Sequence, residues 1–439
     1  MAKVHKIREN AAGIDIGTEE FFVSTDGETI KVFETFTESI DKIVAYLQDS
    51  GIKTVAIEAT GVIWVPLYDK LEASGFEVYL VNGAHARNVP GQKSDPFDCR
   101  WLQQLHSFGL LSASFIPPDE IRLLRNCVRL RADHVETSSG YILQMQKAFE
   151  LMNIKLHEVI DQINGVSGLR IVKAILAGER DPENLLQLCD VRIQKNKRER
   201  VLMSLNGNYK EEYLFLLKQA LECYQFFQGQ IQQCDKKIEI YLKEFTKKLP
   251  KPEPSKAKPT RHNDIKVKNL HEMLIALTSG KNVSKLTGIS DKSFLELISE
   301  TGYDLKSIWP TQKHFTSWAG LSPRKIESGK MRKNKKKFIP KTRTGQLFRL
   351  SAMSIANSKN AALKGFYFRI KSKHGARVAM KATARKLAVL YYKIMTEGMD
   401  YVDKGLEEYE RNYKEKMIRS LRKKADSLGY TLTPCLSAT

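Results

Sequence analysis

At 439 residues the chain exceeds what one ordinary hydrophobic core organises, so two or three domains are expected. Its 71 Lys and Arg outnumber 50 Asp and Glu, and a formal net charge of +21 calls for a partner rich in negative charge, nucleic acid before any other. A membrane surface is the competing sink for positive charge. No run of about 18 apolar residues occurs, and the opening MAKVHKIRENAAG lacks a signal-peptide core, so a cytoplasmic protein with no membrane partner is expected.

The first hundred residues alternate strand and helix patterns. AGIDIG reads as a strand, followed by FFVST and KVFETF around the turn DGET, a helical stretch, the strand TVAIEAT, a second helix and the strand FEVYLV. The first three strands can form an antiparallel meander within an α/β sheet. From about Asp119 to Lys248 the pattern becomes long and helical, with Ile121, Leu124 and Val128, and later Leu214, Leu217 and Leu221, at helical spacing. Helices of this kind make a spacer, a bundle or an oligomer seam. The stretch LPKPEPSKAKPTRHND, from Leu249 to Asp264, carries four prolines and reads as an exposed linker. Beyond it come a mostly helical segment to Pro310, a strongly basic loop after Gly320, and further helices to about Lys424. The expected organisation is an α/β domain over 10–118, a helical region over 119–248, a linker over 249–264, a mostly α-helical domain over 265–424 and a tail over 425–439. Six cysteines (Cys99, Cys127, Cys189, Cys223, Cys234, Cys435) show no CxxC or Cys/His spacing, so neither zinc nor a disulfide framework is suggested.

Acidic residues stand at unusual places in this pattern. Gly13-Ile-Asp15-Ile-Gly17 sets one carboxylate in an apolar strand, where a buried charge must be compensated by some cation. A structural salt bridge would suffice for this residue alone. Glu58 repeats the arrangement at the end of Val55-Ala-Ile-Glu58. Lys93-Ser-Asp95-Pro-Phe-Asp98 then opens a helix, with Asp95 placed as N-cap, Pro96 in the first turn and Asp98 three residues along. Capping and dipole compensation explain that motif in isolation. The four together follow the order strand, strand, helix start, helix start, which is the order of a ribonuclease-H-like nuclease domain. Such carboxylates converge on Mg²⁺ or Mn²⁺, hard ions that take oxygen ligands and hold a phosphate at the same time.

The window from Arg324 to Arg349 holds eleven Lys or Arg and one Glu. Charge this dense is not a packed core, and Arg324, Lys325, Lys330, Arg332, Lys333, Lys335, Lys336, Lys337, Lys341 and Arg343 read either as a solvated face or as a loop that follows nucleic-acid phosphates. Within it lies Glu327-Ser328-Gly329, on its own an ordinary turn sequence.

At these residues the chain resembles the DEDD transposases of insertion-sequence family one-ten, a group that includes pilin-gene invertases. The matching stretches are GIDIG, IEATG, KSDPFDCRWLQQL followed by GLL and SFIPPDEIRLLRNCVRLR, NIKLHEVIDQINGVSG, SWAGLSPRKIESGK with KTRTGQLFRLS, and the late ARKLA, spread from Gly13 to about Lys393. Two positions depart from the usual pattern. Lys-Ser-Asp replaces Lys-Thr-Asp before the third acid, and Cys99 replaces the alanine after the fourth. The resemblance implies an RNase H-like (RuvC-like) domain carrying Asp15, Glu58, Asp95 and Asp98 as catalytic metal ligands, a coiled-coil middle, and a C-terminal transposase domain with Ser328 as nucleophile. It further implies a bacterial or archaeal mobile-element recombinase that acts on donor and target DNA, is guided by a bridge RNA, and works as a homo-oligomer, dimer or tetramer. The residues by themselves also admit a metal-dependent nuclease or Holliday-junction resolvase, in which Ser328 only binds phosphate, and a non-enzymatic nucleic-acid binder.

Overall fold

The computed structural model describes residues 6–83, 95–250, 252, 264–323, 342–358, 361–398, 411, 415 and 417–433, and for 95–97 and 361–362 the backbone only. The chain divides into two compact units, Met1–Ile116 and Pro117–Thr439.

The first unit is built on a five-stranded mixed sheet. Strands β1 (Ala11–Ile16), β2 (Glu20–Ser24) and β3 (Lys31–Glu34) form the expected antiparallel meander. Helix α1 (Thr37–Asp49) leads to β4 (Thr54–Glu58), which pairs with β1 in parallel. Helix α2 (Trp64–Ala73) leads to β5 (Glu77–Val81), parallel to β4, so the order is β3-β2-β1-β4-β5. Helix α3 (Asp95–Ser107) closes the unit.

Both faces of the central strands are covered, which is why β1 and β4 are buried along their length and mostly apolar instead of alternating with exposed polar residues. On one face Ile14, Val55 and Ile57 pack with Ile43 and Leu47 of α1 and Leu67 and Leu71 of α2. On the other, Ala56 and Val81 meet Leu102 and Leu105 of α3. Gly13 permits that second layer. A Cβ there would run into the backbone of Cys99 and Gln103, lying 2.9 Å from the Gln103 Cα. The Gln103 side chain completes the joint, its Nε2 donating to the carbonyls of Ala11 at 3.0 Å and Thr25 at 3.3 Å. Gly13→Ala is therefore expected to cost about 1–3 kcal/mol, because the obstacle is helix backbone that cannot swing aside. Hydrogen-exchange protection along β1 measures it, and unchanged protection would contradict the close approach.

The second unit is helical. Its two longest helices, α4 (Asp119–Leu151) and, after an insertion, α9 (Glu211–Thr246), pack antiparallel: Arg131 reaches Asp235 at 2.5 Å, and seven residues later Ser138 accepts from Gln228 at 2.9 Å. Between them α5 (Leu156–Val159), α6 (Val166–Leu176), α7 (Pro182–Gln187) and α8 (Val191–Ser204) enclose a core of Ile171, Ile175, Leu185 and Leu186 against Phe149 and Leu217. The long helical pattern expected from Asp119 to Lys248 is thus divided among six helices. Asn153 adopts a left-handed φ of 54° just after α4, and Asp181 and Asp190 cap α7 and α8 through their side chains.

Arg131 and Asp235 are each only 3% exposed. Arg131 also donates to the Asp264 carbonyl at 3.0 Å, and the Lys266 amide donates to the second Asp235 oxygen at 3.1 Å. The pair therefore fastens the returning chain as well as the two helices. Helices α10 (Leu270–Leu277), α11 (Asp291–Thr301), α12 (Leu305–Ile308), α13 (Gln312–Trp318), α14 (Arg343–Ala356), α15 (Ala361–His374) and α16 (Ala376–Glu397) complete the unit. Arg129 of α4 grips Glu300 of α11 with two bonds, at 2.8 and 2.7 Å, and Phe315, Phe348 and Tyr391 pack α13, α14 and α16 together. Most of the expected linker, and the basic loop from Arg324 to Lys341, lie outside the described residues. Among the described residues no helix is long and apolar enough to cross a membrane.

Candidate active site

The parallel register of β1 and β4 runs from Ala11 opposite Thr54 to Ile14 opposite Ile57. One further step sets Asp15 beside Glu58. In-register residues of parallel strands point to the same face, and here it is the face of Gly13 and Ala56, on which α3 lies. The direction of α3 is equally informative. Its C-terminal part crosses the start of β1, where Gln103 meets Ala11, and Cys99 stands over Gly13. Continuing towards the end of β1 therefore leads to the first turn of α3, and to Asp95 and Asp98. Asp15 and Glu58 are 9% and 8% exposed, and Asp98 is half-buried.

Gly83, just after β5, abuts the Glu58 side chain so closely that a Cβ would overlap the carboxylate. Neither Gly13 nor Gly83 stands out in the sequence as a site residue. Each is explained only by what presses on it. Burial, with the negative charge of Asp15 next, pushes the Cys99 thiol up to about 11, so it remains protonated near neutral pH.

Of the other residues singled out, Asp95 opens α3 as its first residue, where the sequence suggested a cap just outside it; its side chain lies outside the described residues. Ser328, Arg324, Lys325, Lys330, Arg332, Lys333, Lys335, Lys336, Lys337 and Lys341 lie outside them too. Arg343 begins α14 behind the cap of Thr342, whose Oγ1 accepts from the Gly345 amide at 3.0 Å, and its guanidinium lies 3.4 Å from Asp133. Both partners of that pair are half exposed or more, so it leaves Arg343 largely available. Glu150, His157 and Glu158 form a second cluster of metal-ligating types. The Lys155 ammonium already meets Glu150 there and supplies the cation.

The far end of α3 is held by a neutral histidine. His106 is fully buried, with Nε2 2.8 Å from the Thr54 hydroxyl and its ring 4.7 Å from that of Tyr79, over which the Arg8 guanidinium sits. Burial, and secondarily the Arg8 charge, pushes its pKa from the ordinary 6.5 down to about 4. Between those values the unfolded chain takes up a proton that the folded chain refuses. The stabilisation is complete above about pH 6.5 and is lost as pH falls towards 4, an effect on the order of 3 kcal/mol. His106→Gln is expected to flatten the pH dependence of β4 hydrogen-exchange protection over that window. An unchanged profile would assign the acid sensitivity elsewhere.

Two family models match the chain. A DEDD transposase model of the IS110 group matches residues 12–154, and the transposase model of the IS116/IS110/IS902 family matches residues 280–367. No curated protein matches it. The first stretch covers the sheet from Ala12 onward and all four acids, the second contains Ser328 and the whole basic window, and together they span more than half of the sequence. The mixed sheet flanked by helices is consistent with the RNase H-like architecture expected of the first match. The chain belongs to the IS110 family of DEDD transposases.

Proposed function

We propose that this transposase cuts and rejoins DNA through a covalent phosphoserine link at Ser328, with the help of Mg²⁺ or Mn²⁺ ligated by Asp15, Glu58, Asp95 and Asp98. The observation that carries the reading is the gathering of Asp15, Glu58 and the first turn of α3 at one end of the sheet. The donor set is all carboxylate, which suits a hard cation, and Gly83 keeps side-chain bulk away from Glu58. A bound divalent ion supplies charge neutralisation at the phosphate and at the departing oxygen. The Ser328 hydroxyl attacks phosphorus, the bond to one nucleotide oxygen breaks, and that oxygen leaves with a proton. Rejoining is the reverse: a DNA hydroxyl attacks the phosphoserine and Ser328 recovers its proton. Because the ester replaces one phosphodiester bond and regenerates another, no external energy source is consumed.

The basic segment, from Arg324 to Arg343, follows backbone phosphates and positions the DNA without reading its sequence. Sequence choice then falls to a bridge RNA that pairs with donor and target DNA, and the α4–α9 pair provides the coiled-coil seam of a dimer or tetramer. A substrate that traps the cleaved state tests the chemistry. Wild-type protein with Mg²⁺ should yield a denaturant-resistant protein–DNA adduct whose link maps to Ser328. Cleavage with no adduct identifies a water-activating nuclease, and binding with no cleavage a passive binder. Sequencing the RNA that co-purifies tests the guide.

A further inference from the structure

Helices α15 and α16 form a hairpin that turns at Gly375, whose φ is +81°. From Ala361 to Glu397 it carries nine Lys or Arg and a single acid, Glu397 at its end, which pairs with Lys393. More than half of this hairpin, from Phe368 onward, lies beyond the family match, which ends at residue 367.

The charges are ordered. Arg377, Lys381 and Arg385 recur every fourth residue along α16, so they share a side and stand about 6 Å apart along the axis. Arg377 and Lys381 are exposed and Arg385 half-buried, and among the described residues none of the three has a carboxylate partner. The far side of α16 is spent on the core, where Ala379, Thr383 and Leu387 are buried, so the cations are not the rim of an apolar membrane-binding face. Across the hairpin Phe366 of α15 lies under two cations, Arg369 at 5.5 Å and Lys386 at 5.0 Å. Stacking on the ring holds both long side chains in place.

Like charges four residues apart oppose helix formation, and this row contains no acid to offset them. A solvated face ordinarily mixes signs, as α9 and its C-cap do, where Lys218, Lys236 and Lys247 stand among glutamates. We infer that the α16 row of Arg377, Lys381 and Arg385 is a binding site for the phosphate backbone of a nucleic acid, distinct in sequence from the Arg324–Arg343 segment. A regular ladder fits a continuous polyanion better than a single phosphate. The inference rests on the DNA-acting reading above and adds to it the element that tracks the strand.

Salt titration of the full chain with duplex DNA and with unstructured single-stranded RNA, each of arbitrary sequence, tests it. Arg377→Gln, Lys381→Gln and Arg385→Gln together should lower the slope of log affinity against log salt by about 2 to 3 on at least one of the two probes, and the probe affected names the backbone bound. The charge-conserving pair Arg377→Lys and Arg385→Lys should keep the wild-type slope, and also reports whether the helix tolerates change at these positions. Lys218→Gln, Lys236→Gln and Lys247→Gln remove the same charge from α9 and its C-cap and should leave the slope nearly unchanged. The inference is overturned if the α16 triple variant retains the wild-type slope on both probes, as it would if the row faced solvent or an acidic protein. It is equally overturned if the α9 control lowers the slope as much. Failure of the wild-type protein to bind either probe would instead remove the DNA-acting reading itself.

Discussion

Replacing Ser328 by alanine is expected to abolish both the protein–DNA adduct and the recombinant product, a loss of roughly 10⁴-fold or more, while nucleic-acid affinity stays within a few-fold of wild type. The two outcomes separate because the serine contributes one hydroxyl to an interface that many cations hold. On the proposed reading, removing it takes away the nucleophile and almost none of the attraction. Adduct formation and binding should be measured on the same preparation at one salt concentration. Cleavage at an ordinary rate by the alanine variant would show that water or another residue attacks. The chain would then be a RuvC-like nuclease with a basic clamp.

Alanine at Asp15 or Glu58 is expected to lower strand exchange on the order of 10³-fold, and to leave the thermal midpoint of the metal-free protein unchanged or slightly raised. The signs differ for one reason. On the metal-site reading, like charges at one end of the sheet repel one another, so losing one is not expected to weaken the fold, while it would deprive the cation of a ligand. Asp15 and Glu58 extend the register of neighbouring strands, and neither strand can move to cover for the other. Calorimetric titration with Mn²⁺ should show weakened binding in both variants. Asp95→Ala and Asp98→Ala are expected to behave alike, since both residues stand on the first turn of α3. Strand exchange near the wild-type rate in the Asp15 or Glu58 variant would falsify the metal-site reading.

The strands were legible because each is a short apolar run bounded by turn residues, and Asp15 and Glu58 because charge in such a run is conspicuous. The docking of α3 was not. It depends on the absence of a side chain at Gly13, and an isolated glycine in a strand has several explanations. The long helical pattern concealed the turn at Asn153, since the short helices that follow bury their apolar residues at the same spacing as a long one. Ser328 carries no signal of its own; resemblance alone singled it out. The α16 row was readable in the sequence, but the denser lysines from Lys333 to Lys337 drew attention to the neighbouring loop.

The buried pair of Arg131 and Asp235 bears on something other than strength. Taking two charges out of water costs about what their attraction returns, and apolar side chains of the same size would hold α4 to α9 equally well. Apolar surfaces, however, are tolerant of sliding: a helix displaced by one turn still finds a greasy neighbour. The carboxylate is satisfied only where Arg131 and the Lys266 amide both reach it. A slip in either direction would strand two ions in a dry interior. The pair therefore acts as an address, selecting one alignment of the long helices from several that packing alone would accept.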